Sequence, residues 1–302
     1  MSNLIVIKKT IKSFNKKILV NGDKSISIRW VLFASLASGK SKAKNLLKSE
    51  DVLAAIKAIK KLGIKVIFKK NICEIYGKGI NGYQYKKGIN INCENSGTLA
   101  RLILGFLVNS HVKLKITGDK SLSRRDFKRI SDPLSKFGVS FKLNNNKNLP
   151  LSIIGSNNLK PINYLENRGS AQCKSAVIFA GMRTDGITKI KAKKSRNHTE
   201  LLCKYLKLPI KIKHGSKYDE IEIKKTKKIK NLIYSIPSDI SSSAFFIALT
   251  LLSNNSKLII KNVNVNPSRT GILTILKKMG ARITFKNLKI YKGEKIADLT
   301  IK

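Results

Sequence analysis

Histidine and cysteine are scarce in this sequence, and neither is grouped. Its 302 residues include three histidines and four cysteines, Cys73, Cys93, Cys173 and Cys203. None of the cysteines belongs to a Cys-x-x-Cys motif or has a histidine at the spacing of a zinc ligand. We therefore expect no metal site, no metal-dependent hydrolysis and no Ser-His-Asp triad, and we interpret the cysteines as reduced structural residues.

Long apolar runs are also absent. The longest, at 102–108 and 244–252, fall well short of the roughly 18 residues that a membrane-spanning helix needs. The first residues lack the basic, apolar and small-residue regions of a signal peptide. We therefore expect no membrane partner and a cytoplasmic location.

Acidic residues are few, since 17 Asp and Glu face 61 Lys and Arg and give a formal net charge of +44. Such an excess makes nucleic acid the first partner to consider. However, the sequence has only ten arginines and its lysines are spread along the whole chain, whereas proteins that read nucleic acid rely on arginine for bidentate contacts. We interpret the charge as a solvated surface that attracts small anionic substrates, with a nucleic-acid binder as the alternative.

What is present is a repeated pattern in a chain long enough for about two domains. Four segments, about 70 residues apart, combine the end of an amphipathic helix with a turn and a β-rich run. Gly63, Gly138 and Gly280 stand where three of these helices end, a position that favours a left-handed residue. The repeats cover residues 22–302 and leave β segments at 4–7 and 18–20 in front of them.

A second element recurs upstream in each repeat, where a small or polar cluster opens an apolar helix. The four clusters lie at 23–27, 95–98, 169–172 and 239–243, and each following helix is apolar nearly all round. Such helices are typical of a protein interior. Each repeat is therefore predicted to contain a buried helix, a strand, an amphipathic helix and two strands, which is an α/β fold class.

The polar clusters are candidate anion sites, because the N-terminus of a helix offers free N–H groups and a positive dipole end. Lys24 and Arg29 add cations to the first cluster, and Gly97 would let a ligand approach the backbone of the second. The alternative is that residues such as Ser25 and Ser195 merely cap helices and that loop arginines such as Arg125 are solvated.

These residues resemble the blocks of a known family. The segments 22–29 and 45–51 are similar to the start of the 5-enolpyruvylshikimate-3-phosphate (EPSP) synthases, the 3-phosphoshikimate 1-carboxyvinyltransferases. Further blocks of the family occur in the same order: Asn95-Ser96-Gly97-Thr98-x-x-Arg101, Gly118-Asp119 with Arg125, Ser170-Ala171-Gln172-x-Lys174-Ser175-Ala176, Ser195-Arg196-x-His198-Thr199-Glu200, Asp239-Ile240-Ser241-Ser242 and Asn266-Pro267-x-Arg269-Thr270-Gly271. Seven collinear matches make this a specific resemblance.

The resemblance implies a fold of six βαβαββ units, similar to an inverse α/β barrel, in two globular domains. Four of the six units would be present here. Residues 22–236 would form a complete three-unit domain, and residues 1–21 with 237–302 would form one unit of the other domain. The implied reaction transfers the enolpyruvyl group of phosphoenolpyruvate to the 5-hydroxyl of shikimate 3-phosphate and releases phosphate. It needs neither a metal nor an organic cofactor, and the complete enzyme would be a monomer.

The resemblance also implies roles for individual residues. Lys24 would touch both substrates, while Ser25 and Arg29 would hold shikimate 3-phosphate. Gly97 and Arg125 would receive phosphoenolpyruvate, with Asn95 shaping the loop. The remaining implied contacts are to shikimate 3-phosphate: Ser170, Ala171 and Gln172, with Ser195 at its phosphate.

The sequence departs from the family at its end. Family members continue with two further units, which carry the proton-accepting aspartate, a Lys-Glu pair and two more arginines for phosphoenolpyruvate. We therefore expect this chain to be the N-terminal two thirds of such an enzyme, active only with the remaining part, and to expose faces meant for burial.

Two alternatives remain for the function. The related UDP-N-acetylglucosamine enolpyruvyl transferase has a reactive cysteine after its second buried helix, and no cysteine lies between Cys93 and Cys173 here. The other alternative is an inactive basic protein that binds anions or nucleic acid. A steep salt dependence on any DNA sequence would favour that alternative.

Overall fold

The computed structural model describes residues 11–302, so the β segment expected at 4–7 lies outside the described residues. The described helices are α1 (Lys24–Leu36), α2 (Glu50–Lys61), α3 (Gly97–Phe106), α4 (Lys120–Ser123), α5 (Lys128–Ser135), α6 (Ala171–Gly181), α7 (His198–Tyr205), α8 (Ile240–Leu251) and α9 (Gly271–Lys278). The strands are β1 (Asn15–Ile18), β2 (Ser38–Lys44), β3 (Lys65–Lys69), β4 (Ile72–Lys78), β5 (Asn90–Asn92), β6 (Leu114–Thr117), β7 (Ser140–Asn144), β8 (Asn148–Ile154), β9 (Asn163–Glu166), β10 (Ile187–Lys193), β11 (Ile210–His214), β12 (Tyr218–Lys224), β13 (Ile233–Ser235), β14 (Lys257–Asn264), β15 (Ile283–Tyr291) and β16 (Glu294–Ile301). None of these helices is both long and apolar enough to cross a membrane.

The chain forms two compact units. The larger one is Gly22–Ile236, and the smaller one joins residues 11–21 to Pro237–Lys302. We call them the large unit and the small unit, and each is described by itself.

The large unit is built from three copies of one motif. Its sheets have the strand orders β13-β2-β4-β3, β5-β6-β8-β7 and β9-β10-β12-β11. In each sheet the first strand runs parallel to the second, and the remaining pairs are antiparallel. This order of strands and helices is the βαβαββ unit, so the expected α/β architecture of repeated units is confirmed.

The edge strand of the first sheet, β13, comes from the C-terminal end of the large unit. Strand β13 pairs in parallel with β2, with Ile233 opposite Lys42 and Ser235 opposite Lys44. The two ends of the unit therefore meet, and Gly22 lies against Ile236: a Cβ on Gly22 would be 2.8 Å from the Ile236 Cγ2.

The centre of the large unit holds the three apolar helices α1, α3 and α6. Phe33, Phe106 and Phe179, one from each helix, are fully buried. The ring centroid of Phe33 lies 6.0 Å from that of Phe106 and 5.4 Å from that of Phe179. The centroids of Phe106 and Phe179 lie 4.1 Å apart. Because truncation of a buried phenylalanine costs about 3–5 kcal/mol, this aromatic cluster is a main contribution to the stability of the unit. The prediction that these three helices are interior is confirmed.

The small unit contains one such motif, with the strand order β1-β14-β16-β15. Strand β1 supplies the parallel edge and pairs from Asn15, opposite Lys257, to Ile18, opposite Ile260. The predicted position of this strand, residues 18–20, is therefore wrong. The hydrogen bonds to β14 are made by residues 15–18, while Leu19 is 60% exposed.

The fourth apolar helix, α8, is not interior, which corrects the expectation from its composition. Phe245, Leu249 and Leu252 are 79%, 39% and 87% exposed. Among the described residues of the small unit, only one helix of this type exists, so α8 lacks the two neighbours that cover each central helix of the large unit. The expected exposure of apolar faces is confirmed.

The turns after the amphipathic helices follow the expected chemistry in three of four repeats. Gly63, Gly138 and Gly280 have φ values of 82°, 96° and 91°. In the third repeat Lys207 adopts this left-handed conformation, with φ of 54°. A side chain in this region is strained relative to glycine.

Candidate functional site

The predicted site residues of the large unit gather around the N-termini of its three central helices. The capping side chains are Asp23, Ser96 and Ser170, which accept hydrogen bonds from Ile26 N, Leu99 N and Cys173 N across 2.9, 3.3 and 3.2 Å. Each cap satisfies one of the four N–H groups that a helix leaves without a partner in its first turn. The remaining N–H groups favour an anion at these three ends.

Arg29 lies inside α1 and is 3% exposed. Its Nε donates to Thr199 Oγ1 across 2.7 Å, and its Nη2 donates to Ser175 Oγ across 3.3 Å. Its Nη1 donates to the carbonyl oxygen of Ser25 across 3.0 Å. The guanidinium is therefore held by oxygens from α1, α6 and α7, and a fixed guanidinium suits the binding of a carboxylate or phosphate.

Lys24 and Ser25 occupy the first turn of the same helix. The Lys24 side chain is 48% exposed, and its Nζ lies 3.3 Å from Asp51 Oδ2 in the first turn of α2. Ser25 is half-buried. The start of α1 thus presents an exposed ammonium and a hydroxyl within one turn of the buried guanidinium of Arg29.

Gly97, Arg101 and Arg125 form a second cluster at the start of α3. A Cβ on Gly97 would lie 2.7 Å from Arg101 Nη1 and 3.0 Å from Arg125 Nη1. Arg125 Nη2 donates to Asn95 Oδ1 across 3.3 Å. The missing side chain of Gly97 therefore leaves the space that two guanidinium groups occupy.

Arg101 was not assigned a role from the sequence, although it stands one turn after Gly97. It is 2% exposed, and its Nε is buried with no hydrogen-bond partner within residues 11–302. Its Cζ lies 5.2 Å from the ring centroid of Phe127. Burial first, and then the charges of Arg129 and Arg125, lower the pKa of Arg101 to about 10. The group still carries its charge at neutral pH.

Gln172 connects the second cluster to α6. Its Oε1 accepts from Arg101 Nη1 across 2.9 Å, and its Nε2 donates to Thr98 Oγ1 across 3.0 Å. Ser170 and Ala171 precede it at the start of α6 and are both half-buried. The Ser170 N–H donates to Glu166 Oε2 across 2.8 Å, so the loop that leads into α6 is held by a carboxylate of β9.

Ser195 enters from the loop before α7. Its Oγ is buried and has no hydrogen-bond partner among the described residues. Because an unsatisfied buried hydroxyl costs free energy, this oxygen is poised for a further partner.

The residues that hold Arg29 were not predicted from the sequence. Ser175 and Thr199 were parts of recognised blocks, but neither their spacing nor their type indicated that their hydroxyls lie 2.7 Å apart beneath Arg29. The neighbouring Lys174 and Glu200 form a buried ion pair, with Lys174 Nζ 2.5 Å from Glu200 Oε1.

The chemistry of the site is that of anion binding. Its charged groups are Lys24, Arg29, Arg101 and Arg125, and its neutral groups are hydroxyls, amides and helix N–H groups. The described part of the chain contains no cluster of three or more His, Cys, Asp or Glu side chains that could hold a metal ion. The four cysteines are unpaired and buried, and burial raises the pKa of the Cys73 thiol to about 12.

Comparison with known proteins gives the family. The sequence model of EPSP synthase (3-phosphoshikimate 1-carboxyvinyltransferase) matches residues 8–301. The chain belongs to the EPSP synthase family. The expected resemblance is thereby confirmed, and the UDP-N-acetylglucosamine transferase is not favoured.

Individual EPSP synthases agree along almost the whole chain. The 3-phosphoshikimate 1-carboxyvinyltransferase of Caldicellulosiruptor saccharolyticus is 39% identical over 293 residues, which are 95% of this chain and 66% of the relative. That of Petrotoga mobilis is 39% identical over 296 residues, 96% of this chain and 67% of the relative. A solved EPSP synthase from Acinetobacter baumannii has a TM-score of 0.88 at 34% identity and covers 96% of this chain and 65% of its own. The chain spans about two thirds of the length of the EPSP synthases it matches.

Proposed function

We propose that this chain binds shikimate 3-phosphate and phosphoenolpyruvate and takes part in enolpyruvyl transfer between them. In this reaction the 5-hydroxyl of shikimate 3-phosphate loses its proton as its oxygen forms a bond to C2 of phosphoenolpyruvate, and C3 gains a proton. Phosphate then leaves C2 while C3 loses a proton, so the products are the enolpyruvyl ether and inorganic phosphate. Both substrates carry phosphate and carboxylate groups, which suit a site made of arginines and helix N-termini.

The observation that carries the proposal is the fixed guanidinium of Arg29. Hydrogen bonds from the guanidinium to oxygens of Ser25, Ser175 and Thr199 hold it in place at the start of α1. We assign shikimate 3-phosphate to this end of the site, with Ser25, Ser170, Ala171 and Gln172 as further contacts. The partnerless Ser195 Oγ is assigned to its phosphate.

Phosphoenolpyruvate is assigned to the second cluster. Gly97 brings the backbone of α3 beside the guanidinium groups of Arg101 and Arg125, and Asn95 Oδ1 holds Arg125. Lys24 is assigned to both substrates because its ammonium is exposed at the start of α1. We propose that turnover also needs proton-transferring groups from the part of the family's length that this chain does not span, with the complete enzyme acting as a monomer.

The test is calorimetric titration of the chain with shikimate 3-phosphate, followed by phosphoenolpyruvate on the saturated protein. We expect Arg29→Met to lower the affinity for shikimate 3-phosphate by at least about tenfold, since a hydrogen bond to a charged group contributes about 1.5–3 kcal/mol. Arg183→Met is the matched control. Arg183 is another buried arginine of the large unit, and it donates to Phe106 O and Asn81 Oδ1 instead of facing the site.

Two results would contradict the proposal. One is equal affinity of the wild type and Arg29→Met for shikimate 3-phosphate. The other is the absence of binding by the wild type together with binding to DNA of unrelated sequences that falls steeply with salt, which would favour the nucleic-acid binder.

A further inference from the structure

Two deeply buried charges of the large unit belong to residues without a role in the proposed chemistry. The side chains of Lys174 on α6 and Glu200 on α7 are 0% and 4% exposed, and Lys174 Nζ lies 2.5 Å from Glu200 Oε1. Both charges have lost their hydration, which makes a buried ion pair a weak source of stability. Replacement of such a pair by apolar residues of similar volume is often neutral or stabilising.

The second oxygen of Glu200 makes the stability argument weaker still. Glu200 Oε2 is buried and has no hydrogen-bond partner within residues 11–302. An unsatisfied carboxylate oxygen in the interior is a cost that a purely structural contact would avoid. The pair is therefore explained better by what it positions than by what it stabilises.

What lies next to the pair is the support of Arg29. Ser175 follows Lys174 in α6, and Thr199 precedes Glu200 in α7. Their hydroxyls are 2.7 Å apart, and both accept from Arg29. The ion pair thus joins the same two helices, one residue away from the hydroxyl pair on each of them.

A third side chain shows that the two groups share one environment. Burial raises the pKa of Cys203, on the same helix as Glu200, and the nearby carboxylate of Glu200 raises it further while Arg29 opposes this. Glu200 and Arg29 therefore both act on the thiol of Cys203, so the ion pair and the guanidinium are electrostatic neighbours.

We propose that Lys174 and Glu200 are positioning residues, which lock α6 to α7 so that Ser175 and Thr199 hold the Arg29 guanidinium in the orientation that binds the phosphorylated substrate. This inference rests on the proposed function for the identity of the ligand. The placement of Arg29 itself does not depend on that function and can be measured without a ligand.

The test replaces the pair by apolar residues in the double variant Lys174→Met, Glu200→Leu of the full chain. Three properties are measured: the melting temperature, the ¹H–¹⁵N signal of Arg29 Nε–H and the affinity for shikimate 3-phosphate. Arg29→Lys assigns the signal, which is one of ten arginine signals. In the wild type we expect slow exchange of this hydrogen with water, because it is buried and donates to Thr199.

In the double variant we expect a melting temperature close to that of the wild type, a shifted and rapidly exchanging Arg29 signal, and an affinity lower by about tenfold. A tenfold change corresponds to the loss of about one well-placed hydrogen bond. Thr199→Val, which removes the direct acceptor, should change the Arg29 signal in the same way. The control is Lys40→Met, Glu74→Leu, which removes a different ion pair of the large unit, 2.9 Å apart, in which Glu74 is buried and Lys40 is partly exposed. It should leave the Arg29 signal and the affinity unchanged.

Should the double variant not fold, Lys174→Gln with Glu200→Gln is the second variant, since two neutral amides can still hydrogen-bond to each other while both buried charges are removed. It should fold and still shift the Arg29 signal. An unchanged Arg29 signal in a folded variant would overturn the positioning role, as would native affinity in a variant whose signal has changed. Absence of binding by the wild type would count against the proposed function alone, because the Arg29 signal still decides whether the pair positions this residue.

Discussion

Arg101 on α3 donates a hydrogen bond from its Nη1 to Gln172 Oε1 on α6, across 2.9 Å. Gln172 passes the connection on to Thr98, back at the start of α3. A neutral amide therefore orients a buried guanidinium without neutralising its charge. The ends of α3 and α6 are linked where we place both substrates.

Gln172→Ala removes this connection, and we expect it to weaken binding of both substrates. The variant leaves Arg101 with one acceptor fewer, which costs about 1–3 kcal/mol for a charged buried group. Calorimetric titration and thermal unfolding measure the two effects. Thr98→Val is the control, because it removes only the bond to Gln172 Nε2. Equal losses in both variants would show that the Arg101 bond has no special weight.

Gly97→Ala is expected to act selectively on phosphoenolpyruvate. The new Cβ would stand 2.7 Å from Arg101 Nη1 and 3.0 Å from Arg125 Nη1, so both flexible guanidinium ends must move. We expect weaker phosphoenolpyruvate binding on the saturated protein and little change in the affinity for shikimate 3-phosphate. Gly271→Ala is the control, since nothing lies within 4 Å of its added Cβ. A lower affinity for shikimate 3-phosphate with unchanged binding of phosphoenolpyruvate would reverse our assignment of the two clusters.

The ion pairs of Glu74 predict a loss of stability in acid. The hydrogen bond from Lys40, then that from Tyr76 and the charge of Lys69, hold the pKa of this buried carboxyl below its ordinary value. A lowered folded-state pKa stabilises the protein above the unfolded pKa of about 4.3 and ceases to do so as the pH falls through the folded value. Thermal unfolding of Glu74→Gln should therefore differ from the wild type at pH 7, and the difference should vanish in strong acid. A difference that grows on acidification would refute the shift.

The exposed face of α8 predicts self-association. Phe245, Leu249 and Leu252 lie on one side of the helix at spacings of four and three residues and are all exposed. We expect light scattering to show association of the chain, and Phe245→Lys with Leu252→Lys to reduce it. Leu165→Lys removes an isolated apolar residue that is 56% exposed and should have no effect. A monomeric wild type would contradict the prediction.

The local signals in the sequence predicted much of the fold, because they depend on nearby residues. The left-handed turns at Gly63, Gly138 and Gly280 follow from backbone sterics alone. The same signal failed in the third repeat, where Lys207 takes that conformation. A lysine in this region has no local cause that the sequence displays.

The errors arose where the answer depends on distant residues. Apolarity shows that α8 is suited to burial, but it does not show whether neighbours are there to cover it. The position of β1 was set by its pairing with Lys257 and Ile260 instead of by its own composition.

The site divides in the same way. The helix N-termini and their cations were predicted from the sequence, since capping residues and arginines stand close together in it. The support of Arg29 was not, because Ser175 and Thr199 are brought to it from 146 and 170 residues away. Serine and threonine are common residues. Only the tertiary structure shows which of their hydroxyls accept a hydrogen bond from a buried guanidinium.

The pairing of β13 with β2 sets an order of events during protein synthesis. The first sheet of the large unit is translated early, yet its edge strand emerges from the ribosome only after the other two sheets. Contacts so distant in sequence form slowly, because the entropy of closing a long loop is lost before the contacts contribute their favourable energy. The β2 edge of the first sheet therefore has no parallel partner until β13 is synthesised. The large unit can complete its fold only once Ile233–Ser235 has left the exit tunnel.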